Sequence, residues 1–291
     1  MNAVNTPDPR PHQSSLRWQS QAILLAFVPV TAVWVTLEGG QLWYANDRVL
    51  GQGIAISAML AALVLASRAA TPGAALTGAL FTAALYLQTP GLHTALWPLL
   101  ALLVLTFSAT RFGRRRKEAL GTAEARRGRT ASQVAANLGV AALAGIPLSA
   151  AHVFTPVAFG GRAAMVAMIA AMAEATADTV SSELGQVLGG EPRMITTLGP
   201  VPAGTDGAIS LAGTLLGSLA AAILVAVAAL ALPQLSRIDA ILALAAGIAG
   251  VFIDSLLGAI PERGGWLNND AVNTLSTLAA ALLAAWATRF F

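Results

Sequence analysis

Hydrophobic positions along this chain gather into long blocks, and each block is about as long as a bilayer crossing. A spanning helix takes about 20 mostly apolar residues. On that ruler nine stretches qualify, at 21–37, 51–67, 72–88, 92–110, 132–151, 162–181, 207–232, 238–260 and 271–288. The pattern predicts an all-α fold, a polytopic integral membrane helical bundle of about nine transmembrane helices. Gly- and Ala-rich faces at 58–62 and 240–250 predict helices lying close on one another. The expected organisation is a disordered polar tail at 1–20 and a four-span segment at 21–110. A basic loop at 111–131 and a five-span core at 132–291 follow. The tail holds Pro7, Pro9 and Pro11 and shows no signal-peptide pattern.

Polar residues inside the apolar blocks are the second signal. The block at 162–181 carries Glu174 and Asp178, and Glu183 follows. Glu174, Asp178 and Ser182 are four apart, so on a helix they form one stripe. Like charges at that spacing repel, and each carboxylate in lipid also carries a desolvation cost. A bound divalent cation with oxygen ligands removes both penalties. The alternatives are that one acid is protonated, or pairs with an Arg from another helix. Asp254 near the end of the eighth block is either a further ligand or an interfacial acid reaching for water. Arg129, Gln133 and Asn137 repeat every four residues at the start of the fifth block, as do Asn269 and Asn273 at the ninth. Gly204, Thr205, Asp206 and Gly207 stand before an apolar helix expected from Ala208. Amides at such a helix start suit phosphate, although the turn is equally a good helix N-terminus. No Gly-Lys-Ser/Thr follows, so this is not a Walker A loop. Arg193 precedes it, either as a phosphate partner or as an orientation charge.

Composition and charge sharpen this picture. The chain has 291 residues, 56% hydrophobic and only 11% charged, with mean hydropathy +0.69. Soluble domains carry about 25% charged residues. With no cysteine, thiol nucleophiles and Cys-based metal sites are excluded, and His12, His93 and His152 form no ligand pair. The sequence pI near 10.2 arises largely from the 111–129 loop, which reads as topology rather than nucleic-acid binding. With that loop cytoplasmic and nine spans, the N-terminus is cytoplasmic too. Thirteen of the 17 Lys and Arg then fall inside. Arg114, Arg115, Arg116 and Lys117 read as orientation charges. The polar stretches at 129–137, 181–206 and 262–273 all emerge on the cytoplasmic face.

Five segments in order carry a resemblance. They are QVAANLG (133–139), ADTVSSELGQ (177–186), ITTLGPVPAGTDGAISLAGT (195–214), DSLLGA (254–259) and WLNNDAVN (266–273). The chain resembles the integral membrane family formerly grouped as a domain of unknown function, which includes transmembrane protein 19 and plant phytyl-phosphate kinase. The resemblance implies phosphoryl transfer from a nucleoside triphosphate, CTP being expected, to an isoprenyl monophosphate such as phytyl or geranylgeranyl phosphate. It covers the chain from about Gly128 onward. The residue reading joined to this implication gives Asp178, Glu183 and Asp254 catalytic roles, with Glu174 as a further ligand of Mg²⁺ or Mn²⁺. Ser182, Arg193, Gly204, Thr205, Asp206, Gly207, Asn269 and Asn273 are then expected at the nucleotide. Arg129, Gln133 and Asn137 are expected at the substrate phosphate. The expected setting is a bacterial-type inner membrane with the site facing the cytoplasm, and a homodimer is left open. Two rival readings are an ion-coupled transporter and a lipid-phosphate cytidylyltransferase, which use similar intramembrane carboxylates.

Overall fold

Long apolar runs in lipid must satisfy their own backbone, and only helices or closed barrels do so. A computed structural model describes residues 16–123, 128–153 and 161–291. Residues 1–15, with Arg10 and most of the expected tail, lie outside the described residues, as do Arg126 and Arg127 of the basic loop. The helices are α1 (Arg17–Tyr44), α2 (Arg48–Ala66), α3 (Pro72–Gln88), α4 (Leu96–Arg111) and α5 (Arg114–Leu120). They continue with α6 (Ala131–Ala144), α7 (Ile146–Val153), α8 (Gly161–Leu188), α9 (Leu211–Ala231), α10 (Arg237–Leu257) and α11 (Asn269–Ala287). A π-helical turn, Gly258–Glu262, extends α10.

Every predicted block is helical, and the chain is a polytopic helical membrane protein. Among the described residues, six helices are long and apolar enough to cross a bilayer, or seven if the bent pair α4 and α5 counts as one span. The blocks that miss this test are short: α3 has 17 residues, α4 has 16 and α6 has 14. Two details depart from the sequence reading. The basic loop contains a helix, α5, set off by left-handed Gly113 and Gly121 and bent 61° from α4. And α9 begins at Leu211, not Ala208, because Ala208–Ile209 pairs as a short antiparallel strand with Arg193–Met194. Ser210 Oγ caps α9, accepting from Gly213 N at 3.1 Å.

The centre of the bundle is α8, surrounded by α4, α6, α9, α10 and α11. Its residues from Ala164 to Ala177 are buried on all sides, as expected of a helix apolar around its whole circumference. The starts of α1, α3, α6, α9 and α11 meet the ends of α2, α4, α8 and α10 at one end of the bundle. Hydrogen bonds fix this end. Gln19 Nε2 donates to Trp266 O (2.8 Å), Ser20 Oγ to Asp270 Oδ2 (2.6 Å), and Arg111 Nη2 to Ser67 O (2.7 Å). Asn268 caps α11, its Oδ1 accepting from Ala271 N at 2.9 Å. The opposite end is tied by Arg162 Nε to Asp239 Oδ1 (2.8 Å) and Gln88 Nε2 to Ala142 O (2.8 Å).

Candidate functional site

A polar cavity of about 390 Å³ opens at the first of these ends, between α6, α8, α10, α11 and the 189–210 loop. Its position follows from the sequence stripes. Four-residue spacing puts Asp178, Ser182 and Gln186 on one face of α8. Similar spacing puts Gln133 and Asn137 on α6, and Asn269 and Asn273 on α11. Tertiary packing turns all three faces toward one space, and every one of these side chains lines it.

The acidic residues divide into distinct environments. Asp178 on α8 and Asp254 on α10 face one another across the cavity, close enough to interact directly. Asp254 Oδ2 also accepts from Ser276 Oγ of α11 at 3.2 Å. Glu174 lies one turn deeper, 1% exposed, with its Oε1 making no hydrogen bond inside the protein. Space for its stem exists because position 250 is glycine: a Cβ there would stand 2.5 Å from Glu174 Cγ. Glu183 lines the cavity, but its carboxylate accepts from Lys117 Nζ on α5. That lysine is 1% exposed and also donates to Ala109 O and Thr110 O at the end of α4. Lys117, expected to be an orientation charge, is instead a buried brace holding Glu183.

The glycine-rich turn forms the cavity's outer wall. Gly204, Thr205, Asp206 and Gly207 all line it, with Gly204 and Gly207 at positive φ (+83° and +75°). Gly207 has no room for a side chain, since a Cβ would sit 2.3 Å from Ala259 N on the π-helical turn. The amides of Thr205 and Ala208 close turns onto Pro202 O and Thr205 O, and Thr205 Oγ1 also donates to Pro202 O. Burial raises the Asp206 carboxyl above the ordinary carboxylate range, against the opposing pull of the Arg263 guanidinium.

Arg129 and its stripe complete the opposite wall. Arg129 Nη2 reaches Thr179 Oγ1 at 3.5 Å and lies near the Asp178 carboxylate. Gln133 forms a capping box with Thr130, its Oε1 accepting from Thr130 N at 2.7 Å. Asn137 Nδ2 donates to Gln133 O at 2.8 Å. Ser182 Oγ turns back to Thr179 O at 3.2 Å.

Of the residues expected at the site, Arg193 is not brought there. Its guanidinium donates to Leu198 O at 2.9 Å within the exposed loop, because the strand pairing of Arg193–Met194 turns that residue away. Glu174 sits beneath the cavity rather than on its wall. In turn the structure adds Glu262, Ser255 and Ser210 to the lining. A signal for Glu262 was present: Asp254, Gly258 and Glu262 stand at four-residue steps. The π turn carries that face past Pro261.

Among the described residues, no three His, Asp or Glu side chains converge closely enough to hold a metal by themselves. Two facing carboxylates are nevertheless the donor set Mg²⁺ uses when phosphate oxygens and water complete its shell. Asp178 and Asp254 fit that pattern, with the unpartnered Glu174 oxygen directly below.

Comparison with known proteins gives a consistent picture. The family model described as "Integral membrane protein DUF92" matches residues 55–281. An uncharacterized membrane protein of Methanocaldococcus jannaschii is 42% identical over 125 residues, 43% of this chain and 52% of the relative. An uncharacterized membrane protein of Synechocystis is 32% identical over 191 residues, 64% of this chain and 70% of the relative. Protein VTE6, chloroplastic, of Arabidopsis thaliana is also 32% identical over 191 residues, 63% of this chain and 55% of its own length. The matched segments thus span about half the length of the archaeal and plant relatives. No solved structure matches the chain.

Proposed function

The chain belongs to the integral membrane family DUF92, and from that membership and the cavity's chemistry we propose that it is a membrane kinase acting on a lipid phosphate. The proposed reaction moves the γ-phosphoryl group of a nucleoside triphosphate, CTP being the expected donor, to an isoprenyl monophosphate. A phosphate oxygen of the acceptor forms the new P–O bond. The bond to the β,γ-bridging oxygen breaks, and the nucleoside diphosphate leaves with the electron pair. The acceptor is already anionic, so no strong general base is required. Catalysis of this kind rests on positioning and on electrostatics.

The carrying observation is the juxtaposition in one cavity of facing carboxylates, Asp178 and Asp254, a two-glycine turn, and the Arg129 guanidinium. Asp178 and Asp254 would hold Mg²⁺ or Mn²⁺, which when bound offsets phosphate charge. The glycine turn at 204–207 lets backbone approach the donor phosphates closely. Its Gly204, Asp206 and Gly207 amides are not the ones spent on the turn's own bonds. Arg129 faces the acceptor phosphate from the segment just before α6, with Asn137 of α6 beside it. Asn269, Asn273 and Ser182 offer hydrogen bonds to the nucleotide. Glu183 belongs to the supporting structure through Lys117 rather than to the ligand set. With the basic segments clustered at the same end, this cavity faces the cytoplasm, where nucleotides are.

The test is direct. Purified full-length protein is supplied with CTP, Mg²⁺ and geranylgeranyl monophosphate, and the products are scored. CDP with the isoprenyl diphosphate supports the proposal. Pyrophosphate as product points to a cytidylyltransferase, and no turnover with any nucleoside triphosphate overturns enzymatic phosphoryl transfer.

A further inference from the structure

A second cavity, of about 350 Å³, lies in the part of the chain to which the sequence assigns no motif. It is a cleft where α3 and α4 diverge, roofed by α2 and α6 and floored by Ala175 of α8. Its walls are mostly aliphatic, exemplified by Leu60 and Val64 on α2, Ala79 on α3, Leu103 on α4, and Leu138 on α6, with Thr82 and Thr106 among them. Along α4 it extends from Leu99 to Thr110, on the order of 16 Å at the helical rise per residue. One end of this cleft carries Arg68, Arg111, Arg114 and Arg129. Toward the other end the lining is apolar, with Leu60 and Leu99. Arg129 and Asn137 line both this cleft and the polar cavity, so the two spaces meet at those side chains.

Arg114 pairs with Glu118 at 3.0 Å. Arg111 donates to Ser67 O and lies over the Phe107 ring at 4.1 Å, fixed as part of the wall. Arg129 stands at the junction itself, its Nη2 3.5 Å from Thr179 Oγ1. An apolar trough ending in a guanidinium beside a catalytic-type cavity fits an amphiphile with an anionic head. The volume lies at the low end of the range for small-molecule sites, about 300–1,000 Å³, which suits one tail rather than two.

We propose that this cleft seats the hydrocarbon tail of a single-chain lipid phosphate, with the phosphate held at Arg129 and Asn137 on the border of the polar cavity. The inference rests on the kinase reading for the identity of the head group, and it gives α2, α3 and α4 a task. With α6 they form the tail-binding side, while α8, α10 and α11 carry the phosphoryl chemistry. The cleft opens sideways toward lipid past exposed Leu63 and Val104 (61% and 63% exposed), a route by which a membrane-dissolved acceptor enters without crossing water.

The test uses binding rather than turnover, so that its failure is separable from failure of the kinase reading. Full-length protein in nanodiscs is irradiated with geranylgeranyl monophosphate carrying a diazirine near the end of its tail, and labelled peptides are mapped. Labelling is expected on 60–64, 78–82 and 99–103. Gly78→Leu fills the cleft without displacing backbone, since a Cβ at Gly78 meets only Val134 Cγ1 at 3.9 Å. It is expected to cut labelling about tenfold or more. Gly51→Leu, whose Cβ meets nothing within 4 Å, leaves labelling unchanged. The unphosphorylated alcohol is expected to compete weakly, and Arg129→Met to erase that difference between phosphate and alcohol. Labelling on the outer faces of α9 to α11, or labelling indifferent to Gly78→Leu in a folded protein, overturns the proposal. Equal competition by a two-chain phosphatidic acid overturns the single-tail assignment. CDP production in the assay above with no labelling in the cleft would leave the kinase standing and remove this site alone.

Discussion

Replacing Lys117 by methionine removes the brace behind the cavity while keeping most of the side chain's apolar stem. The ammonium makes three hydrogen bonds, to Ala109 O at 2.9 Å, to Thr110 O at 2.8 Å, and to Glu183 Oε2. The first two satisfy carbonyls at the end of α4 that have no partner within that helix. Methionine loses all three and strands the Glu183 carboxylate. Removing one partner of a buried ion pair costs about 3–5 kcal/mol. Glu183 is 16% exposed and opens on a polar cavity, so solvent screens part of its charge and the expected loss is about 3 kcal/mol. At about 2–4 °C per kcal/mol for a chain of this size class, the unfolding midpoint drops by about 6–12 °C. The assay is thermal unfolding in detergent of wild type, Lys117→Met, Glu183→Gln and the double variant. In the double variant no buried charge is stranded, so about 1–2 kcal/mol of the single-variant loss is recovered. A drop under about 2 °C for Lys117→Met, or losses that simply add in the double variant, would refute the brace.

Asp178→Asn and Asp254→Asn are each expected to lower turnover with CTP and Mg²⁺ by about 10²–10³-fold, with unfolding midpoints at or above wild type because a repelling pair is relieved. Retained activity in either argues against its ligand role. Gly207→Ala forces a Cβ to 2.3 Å from Ala259 N at a φ of +75°, which costs about 1–3 kcal/mol. It should both lower the midpoint and raise the KM for the nucleotide, and a changed midpoint with unchanged KM would separate the turn from the donor phosphates. Asp206, raised by burial, binds its proton more tightly folded than unfolded. Its contribution to stability is therefore present at low pH and lost as pH climbs through the raised value. Asp206→Asn should flatten the fall in midpoint as pH rises from 4 toward neutrality. A pH profile identical to wild type would contradict that sign.

The bilayer's demand for self-satisfied backbone made the helical architecture readable from hydrophobicity alone; every block is helical, although block 132–151 divides into α6 and α7 and six or seven helices among the described residues are long enough to span. Four-residue polar stripes are equally local, which is why Asp178, Ser182, Gln133, Asn137, Asn269 and Asn273 were recognisable and do line one cavity. What each side chain touches was a different matter, fixed between residues far apart in sequence. The pairing of Lys117 with Glu183 crosses 66 positions and separates one acid from Asp178 and Asp254. A two-residue strand shifts the start of α9 and turns Arg193 outward, and Gly250 opens the pocket for Glu174 from a neighbouring helix. The apolar cleft beside Arg129 has no sequence signature, because lipid-facing and tail-facing leucines are chemically alike and only the divergence of α3 from α4 distinguishes them.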